Sequence, residues 1–263
     1  MANQDLYIGI VQIDLQWHQA LLNKARIERL ILAYQRYPDL ILLPEMFTTG
    51  FTMEAEAVAE TMEGPTITWM QSLARQTRSV LGGSLVIEEA GVYMNRFCWV
   101  DQTGLIGWYD KRHLFAMAGE DKPYSAGSHP CILEYKGWRI ATQICYDLRF
   151  PVWARNTFNE VGQAEYDLLV NVANWPKARI HHWDTLLAAR AIENLSFVAA
   201  ANRVGVDENG LAYCGSSRII DYSGEVLVSA RKEEGMFTAK LDAIGLAEYR
   251  QKFPFWKEAD SAF

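Results

Sequence analysis

The residues best suited to chemistry are a cysteine, a glutamate and a lysine that each follow a short apolar run. Cys145 ends the run 138–144, Glu45 follows Leu-Leu-Pro after the run 40–43, and Lys111 follows the run 105–109 with one aspartate between. A thiol nucleophile, a carboxylate that moves protons and a cation that holds a developing oxyanion are what amide hydrolysis requires. Because sites assemble at the carboxyl ends of strands in α/β sheets, we expect these three side chains to converge.

Cys145 lies where a predicted strand gives way to a predicted helix, with Pro151 suited to the first helical turn. Amide groups at a helix N-terminus would lower the pKa of the thiol and could hold an oxyanion. The alternative is a small buried hydrophobic residue, because unpaired cysteines are often buried. For Glu45 and Lys111 the alternative is a structural ion pair.

Composition restricts the class of protein. The 263 residues are 50% hydrophobic and 22% charged, as in an ordinary globular domain, and the net charge of −7 provides no general basic surface for nucleic acid. No apolar run approaches the roughly 20 residues that cross a bilayer, and the N-terminus lacks a secretory signal pattern. The cysteines are far apart and predict neither a zinc ribbon nor a redox pair; they are Cys98, Cys131, Cys145 and Cys214. We therefore expect a soluble cytoplasmic protein without a membrane or nucleic-acid partner.

Hydrophobic periodicity predicts an α/β chain with hairpins between its βα segments. Predicted strands are 6–13, 39–45, 80–87, 93–100, 105–109, 131–135, 138–144, 166–171, 197–201, 217–221, 225–229 and 236–240, and predicted helices are 19–36, 65–77, 179–193 and one that begins at Pro151. The segment 48–63 is predicted to form a loop and a short helix near the pocket, and the segment 115–127 is predicted to be irregular, as active-site loops often are. This order predicts two packed sheets with helices outside.

Three ordered motifs resemble those of the nitrilase, or carbon-nitrogen hydrolase, superfamily. They are Leu-Pro-Glu ending at Glu45, Tyr-Asp-Lys-Arg-His-Leu around Lys111, and Cys-Tyr-Asp-Leu-Arg-Phe-Pro beginning at Cys145. The segment 202–205, Asn-Arg-Val-Gly, and the C-terminal strands extend the resemblance over nearly the whole chain. It implies a single carbon-nitrogen hydrolase domain over residues 1–263, folded as a four-layer α-β-β-α sandwich. It also implies a homodimer or higher homo-oligomer, in which the aromatic tail 253–256 is either an exchange arm or a cover for its own core.

The resemblance implies a Glu-Lys-Cys catalytic site. Cys145 would form a thioester, Glu45 would accept and return protons, and Lys111 would hold the oxyanion together with the backbone N–H of Tyr146. Glu120 resembles the family's second glutamate, which contacts the lysine and helps to orient substrate. The alternative for Glu120 is a solvated loop acid, since it begins a charged run.

Substrate recognition is expected to involve residues that follow two of the strands. Arg149 could bind a carboxylate with two parallel hydrogen bonds, and the equivalent arginine is associated with acidic substrates in family members with this cysteine motif. The alternative is that Arg149 pairs with Asp147 or another local acid. Tyr146 is also predicted to bind substrate. Asn174 and Trp175 are expected to wall the pocket, with a plain core tryptophan as the alternative for Trp175.

The motifs and their flanks look like those of the omega-amidase branch, which releases ammonia from 2-oxoglutaramate or 2-oxosuccinamate. Two alternatives remain open, because fold does not select the substrate. The first is another hydrolase of the superfamily: a nitrilase, a carbamoylase or another aliphatic amidase. The second is a binding protein that has the same fold but no catalytic activity. A papain-like site is a further alternative, with a histidine among His113, His129, His181 and His182, but the papain-type flanks are absent. No motif for a metal or nucleotide cofactor occurs, so we expect none.

Overall fold

Two six-stranded sheets form the centre of the computed structural model, which describes residues 4–259. The strands are β1 (Leu6–Gln12), β2 (Leu40–Leu42), β3 (Val80–Glu89), β4 (Val92–Asp101), β5 (Gly104–Asp110), β6 (Ile132–Tyr135), β7 (Trp138–Ile144), β8 (Leu168–Ala173), β9 (Phe197–Asn202), β10 (Val204–Val206), β11 (Ala212–Cys214), β12 (Arg218–Ile220), β13 (Val226–Ser229) and β14 (Gly235–Leu241). The helices are α1 (Ala20–Leu32), α2 (Ala55–Val58), α3 (Pro65–Thr77), α4 (Pro151–Ala154), α5 (Ile180–Asn194) and α6 (Ala243–Lys252). Single 3-10 turns occupy Ala116–Ala118, Cys145–Arg149, Lys177–Arg179 and Phe255–Glu258.

The two sheets have related topologies. The first has the order β14-β1-β2-β3-β4-β5, with β1, β2 and β3 parallel and the remaining neighbours antiparallel. The second has the order β13-β12-β9-β8-β7-β6, with β7, β8 and β9 parallel. β5 is antiparallel to β4, and β4 is antiparallel to β3. The carboxyl end of β5 therefore lies on the same side of the sheet as the carboxyl end of β2.

Alternating apolar residues of both sheets pack against each other. Ile8 and Leu42 of the first sheet and Ile140, Val170 and Trp138 of the second belong to one buried cluster between the sheets. The period of two in the strands directs these side chains to one face and the intervening apolar residues to the other.

The outer faces of the sheets are covered by helices. Ile27 of α1 and Leu73 of α3 pack on the first sheet, and Trp183 and Leu187 of α5 pack on the second. Within residues 4–259, no helix combines the length and the apolar character needed to cross a membrane. The predicted four-layer α-β-β-α sandwich is confirmed.

Some elements differ from the sequence prediction. The hairpin of β10 and β11 was not predicted, because each strand has three residues and β10 contains Gly205. The helix that begins at Pro151 has only four residues, since the chain becomes extended at Arg155. In the C-terminal tail, Trp256 stacks on Phe158 of its own chain with ring centroids 5.3 Å apart.

Candidate active site

Lys111 is the centre of a buried charge cluster. Its Nζ donates to Glu45 Oε1 at 2.9 Å and to both carboxylate oxygens of Glu120 at 2.9 Å, and all three side chains are fully buried. Burial alone would lower the pKa of Lys111, but the charges of Glu120 and Glu45 outweigh it and raise that pKa. The lysine therefore stays cationic.

The two carboxylates of the cluster are held by different parts of the chain. Glu45 follows β2, and its Oε2 accepts a hydrogen bond from the backbone N–H of Asn174 at 2.8 Å, directly after β8. Glu120 lies in the irregular segment after β5, and its Oε2 accepts from the N–H of Phe115 at 2.6 Å. Burial raises the pKa of Glu120, while the charge of Lys111 opposes that shift. The contact between Glu120 and the lysine is the one that the resemblance implied.

Cys145 follows β7 and begins a single 3-10 turn rather than a long helix. Its φ of +46° lies in the left-handed region, where a residue other than glycine stores strain of about 1–3 kcal/mol. The prediction that a helix N-terminus lowers the pKa of the thiol is wrong. Burial, followed by the negative charge of Glu45, raises the pKa of Cys145 well above its usual range, and Lys111 opposes this only in part. The resting thiol is neutral.

Cys145 lines a cavity of roughly 340 Å³, and six of the eighteen residues that line it are aromatic. The cavity is lined by Trp17, Phe51, Thr52, Met53, Glu54, Phe115, Ala118, Cys145, Tyr146, Arg149, Asn174, Trp175, Pro176, Arg179, Asp207, Asn209, Leu211 and Tyr213. All four residues predicted to bind substrate therefore lie in one cavity with the thiol. The volume suits a small organic molecule.

Arg149 lines this cavity and packs against two aromatic rings. Its guanidinium carbon lies 4.7 Å from the ring centroid of Trp175 and 5.9 Å from that of Tyr146. Its Nη2 is 3.2 Å from Nδ1 of His182. In the described part of the chain, no carboxylate oxygen lies within 4 Å of Arg149, and Asp147 has other partners. The alternative of an Arg149–Asp147 pair is therefore wrong.

The histidines do not form a papain-like site. No histidine of residues 4–259 lines the cavity, and the ring of His113 instead contacts Asp147 through Nδ1 at 2.8 Å. His129 contacts Ser128 on the surface. Across the same residues, no group of three or more His, Cys, Asp or Glu side chains is placed to hold a metal ion.

The sequence did not single out several residues of the site. Asn95, buried in β4, donates to Glu45 Oε1 at 2.8 Å and to Glu120 Oε1 at 3.2 Å. Its only signal was an asparagine beside Arg96 in a strand whose other central residues are apolar or aromatic. Arg179 lines the cavity beside Phe115, and its position at the start of a predicted helix gave no signal.

Comparison with known proteins defines the class. The family model for carbon-nitrogen hydrolases matches residues 8–251, so the chain belongs to the carbon-nitrogen hydrolase family. The predicted resemblance, and with it the expectation of an enzyme, is confirmed.

Particular relatives cover almost the whole chain. Omega-amidase YafV of Escherichia coli strain K12 is 43% identical over 97% of both chains, and 2-oxoglutaramate amidase of Bacillus subtilis strain 168 is 32% identical over 95% of this chain and 96% of its own. The crystal structure of XC1258 from Xanthomonas campestris, a CN-hydrolase superfamily protein with an arsenic adduct in the active site, is 45% identical. It superposes with a TM-score of 0.95 over 98% of each chain.

Proposed function

We propose that this protein is an omega-amidase that releases ammonia from a small amide bearing a carboxylate, such as 2-oxoglutaramate or 2-oxosuccinamate. The observation that carries the proposal is that Cys145, beside the buried Lys111–Glu45 pair, shares one small cavity with Arg149. Relatives named omega-amidase YafV and 2-oxoglutaramate amidase, similar over nearly the full length, support this substrate class.

In the first half of the reaction, Glu45 takes the proton of the Cys145 thiol as the sulfur attacks the amide carbon. The sulfur–carbon bond forms and the carbonyl electron pair moves to oxygen, where the Lys111 ammonium and the N–H of Tyr146 stabilise the negative charge. Glu45 then gives its proton to the nitrogen, the carbon–nitrogen bond breaks, and ammonia leaves a thioester. Because the pKa of Cys145 is raised, proton removal has to accompany the attack.

In the second half, water replaces ammonia. Glu45 accepts a proton from water as the oxygen attacks the thioester carbon, and Lys111 and the Tyr146 N–H again hold the oxyanion. The carbon–sulfur bond breaks, the sulfur regains a proton from Glu45, and the carboxylic acid product leaves and gives its proton to solvent. Glu120 keeps Lys111 charged and in place through two hydrogen bonds of 2.9 Å.

Arg149 is the proposed anchor for the substrate carboxylate. A guanidinium can give two parallel hydrogen bonds to a carboxylate, and the rings of Trp175 and Tyr146 beside it restrict its orientation. Asn174 lines the cavity and also fixes Glu45, since its Nδ2 donates to the Glu45 backbone carbonyl at 2.7 Å. The carboxylate would thereby be held at one end of the cavity while the amide reaches Cys145.

We also propose a domain organisation, an oligomeric state and a location for the protein. A single carbon-nitrogen hydrolase domain over residues 1–263 is supported by the family match at 8–251, although residues 1–3 and 260–263 lie outside the described range. A homodimer or higher homo-oligomer is supported by exposed apolar side chains on the outer helices, such as Val152 and Ile192. A cytoplasmic location is supported by four free cysteines, which suit a reducing compartment.

Ammonia release from purified protein tests the proposal. The substrates are 2-oxoglutaramate, glutamine, a simple nitrile and an N-carbamoyl amino acid, and Cys145→Ala is the control. Fast release from the keto-amide that is lost in the variant is the expected result. Activity on another compound alone would retain the site and reject the omega-amide, and turnover in Cys145→Ala would reject the thioester.

A further inference from the structure

Asp147 is a fully buried carboxylate two residues after the nucleophile, and the mechanism above gives it no role. Its Oδ2 accepts from the Tyr109 hydroxyl at 2.8 Å and from the N–H of Ile144 at 3.1 Å. Its Oδ1 accepts from the N–H of His113 at 2.9 Å and lies 2.8 Å from His113 Nδ1. The backbone groups and the tyrosine hydroxyl can only donate here, so the carboxylate serves as an acceptor on both sides.

These four contacts join the two segments that carry the reacting groups. Tyr109 and His113 lie two residues before and after Lys111, and Ile144 directly precedes Cys145. The lysine segment leaves the first sheet and the cysteine turn leaves the second. Asp147 therefore bridges the two sheets at the point where the lysine has to meet the thiol.

The bridge also acts on the strained backbone of the nucleophile. Cys145 has a φ of +46°, and such a conformation persists only where the surroundings fix it. The hydrogen bond from the N–H of Ile144 to Asp147 fixes the peptide group between Gln143 and Ile144, one residue before Cys145. Further support comes from Trp153, whose Nε1 donates to the Tyr109 hydroxyl at 2.9 Å.

We infer that Asp147 is a positioning residue that aligns the Lys111 ammonium and the Tyr146 N–H with the oxyanion formed at Cys145. The inference rests on the proposed thioester chemistry but not on the choice of omega-amide. Its action belongs to the transition state, because Asp147 does not line the substrate cavity. A displacement of about 1 Å in such a site lowers the rate by about 10²-fold.

Asp147→Asn is the direct test, because it preserves size but supplies an NH₂ group where one pair of donors needs an acceptor. We expect kcat to fall about 10²-fold with KM changed by less than about threefold. Alkylation of Cys145 by iodoacetamide should stay within about threefold of wild type, because displacement at a saturated carbon forms no oxyanion. These rates are measured on whichever amide the wild type hydrolyses, so failure on 2-oxoglutaramate alone rejects the substrate and not the positioning role.

Asp167→Asn is the matched control. Asp167 is also a buried carboxylate, pairs with Arg250 at 2.6 Å, and precedes β8 at the end of the second sheet opposite Cys145. We expect this variant to lower the melting temperature and leave kcat unchanged. A folded Asp147→Asn protein with wild-type kcat, or equal kcat losses in both variants, would overturn the inference.

Two milder variants keep the test decisive if Asp147→Asn does not fold. Tyr109→Phe removes one donor, and His113→Phe removes the ring donor while retaining an aromatic ring against Phe150, whose centroid lies 3.7 Å away. Each should lower kcat about tenfold at unchanged KM. Unchanged kcat in both folded variants would overturn the positioning role.

Discussion

Replacing Glu45 with glutamine separates proton transfer from shape. The side chain is fully buried, and its oxygens accept from Lys111 at 2.9 Å, Asn95 at 2.8 Å and the N–H of Asn174 at 2.8 Å. These three partners donate, so the glutamine NH₂ has to face a donor on one side. One unsatisfied buried donor costs about 1–3 kcal/mol of folding stability. Lys111 keeps its two bonds to Glu120, so we expect the variant to fold.

The effect on catalysis should be larger than the effect on stability. Each assisted proton transfer contributes about 10²–10⁴-fold, and Glu45 is assigned the transfers from the thiol, to ammonia and from water. We therefore expect kcat to fall at least about 10³-fold, which corresponds to about 4 kcal/mol at 1.36 kcal/mol per factor of ten. The remaining rate should rise steeply with pH between pH 6 and pH 9, because without the Glu45 base the attack requires the thiolate, and burial still raises the pKa of the Cys145 thiol.

The assay is ammonia release from 2-oxoglutaramate between pH 6 and pH 9, with thermal unfolding measured on the same samples. Glu120→Gln is the matched control, since Glu120 also contacts Lys111 and Asn95 but is assigned no proton transfer. We expect Glu120→Gln to lower kcat without the steep rise with pH. A folded Glu45→Gln protein within about tenfold of wild type at pH 7, or the same pH slope in both variants, would refute the reasoning.

Three further predictions concern recognition and the thiols. Arg149→Lys should lower kcat/KM for a carboxylated amide by about 10- to 100-fold, because about 1.5–3 kcal/mol in charged hydrogen bonds is lost, and should leave kcat/KM for a neutral amide unchanged. Arg179→Lys is the comparison variant. Equal losses on both substrates would assign Arg149 to structure. Iodoacetamide, followed by peptide mapping, should label Cys145 before Cys98, and the reverse order would argue against an accessible nucleophile. Burial raises the pKa of Cys98 to about 12 from 9.0, so the protonated thiol is the form compatible with folding. The protonated thiol makes its full contribution to the free energy of unfolding below pH 9, and this contribution should fall by about 1.4 kcal/mol per pH unit above pH 9. In urea titrations, the difference in free energy of unfolding between wild type and Cys98→Ala should therefore become smaller as the pH rises.

The convergence of the three motif segments was predictable because it depends on strand order and direction. Glu45, Lys111 and Cys145 follow β2, β5 and β7, whose apolar runs are readable from the sequence. Once the sheets pack face to face, the ends of these strands meet at one side of the sandwich. The sandwich itself was also predictable, because apolar residues alternate in the strands and recur with helical spacing in α3 and α5.

Burial of single polar residues was not predictable in the same way. The run Glu120-Asp121-Lys122 has the composition of a solvated loop, yet Glu120 is fully buried while its two neighbours are exposed. Asn95 occupies a strand position that local propensity cannot distinguish from a surface one. Both belong to the cluster around Lys111: Glu120 pairs with the buried ammonium, and Asn95 donates to the carboxylates that pair with it, contacts that local sequence does not reveal.

The direction of the shift in the pKa of Cys145 also depends on burial and on partners that local sequence does not reveal. It decides whether the nucleophile rests as a thiol or as a thiolate. A helix N-terminus would have favoured a standing thiolate, whereas burial beside two carboxylates and one lysine favours a neutral thiol. The sulfur becomes negatively charged only as Glu45 takes its proton. The charge then moves to the carbonyl oxygen as the sulfur attacks, and Lys111 is already cationic there. In the resting site Lys111 is therefore not paired with a thiolate and can stabilise the oxyanion when it forms. The neutral thiol is also less susceptible to oxidation between turnovers, because the thiolate is the form that is oxidised.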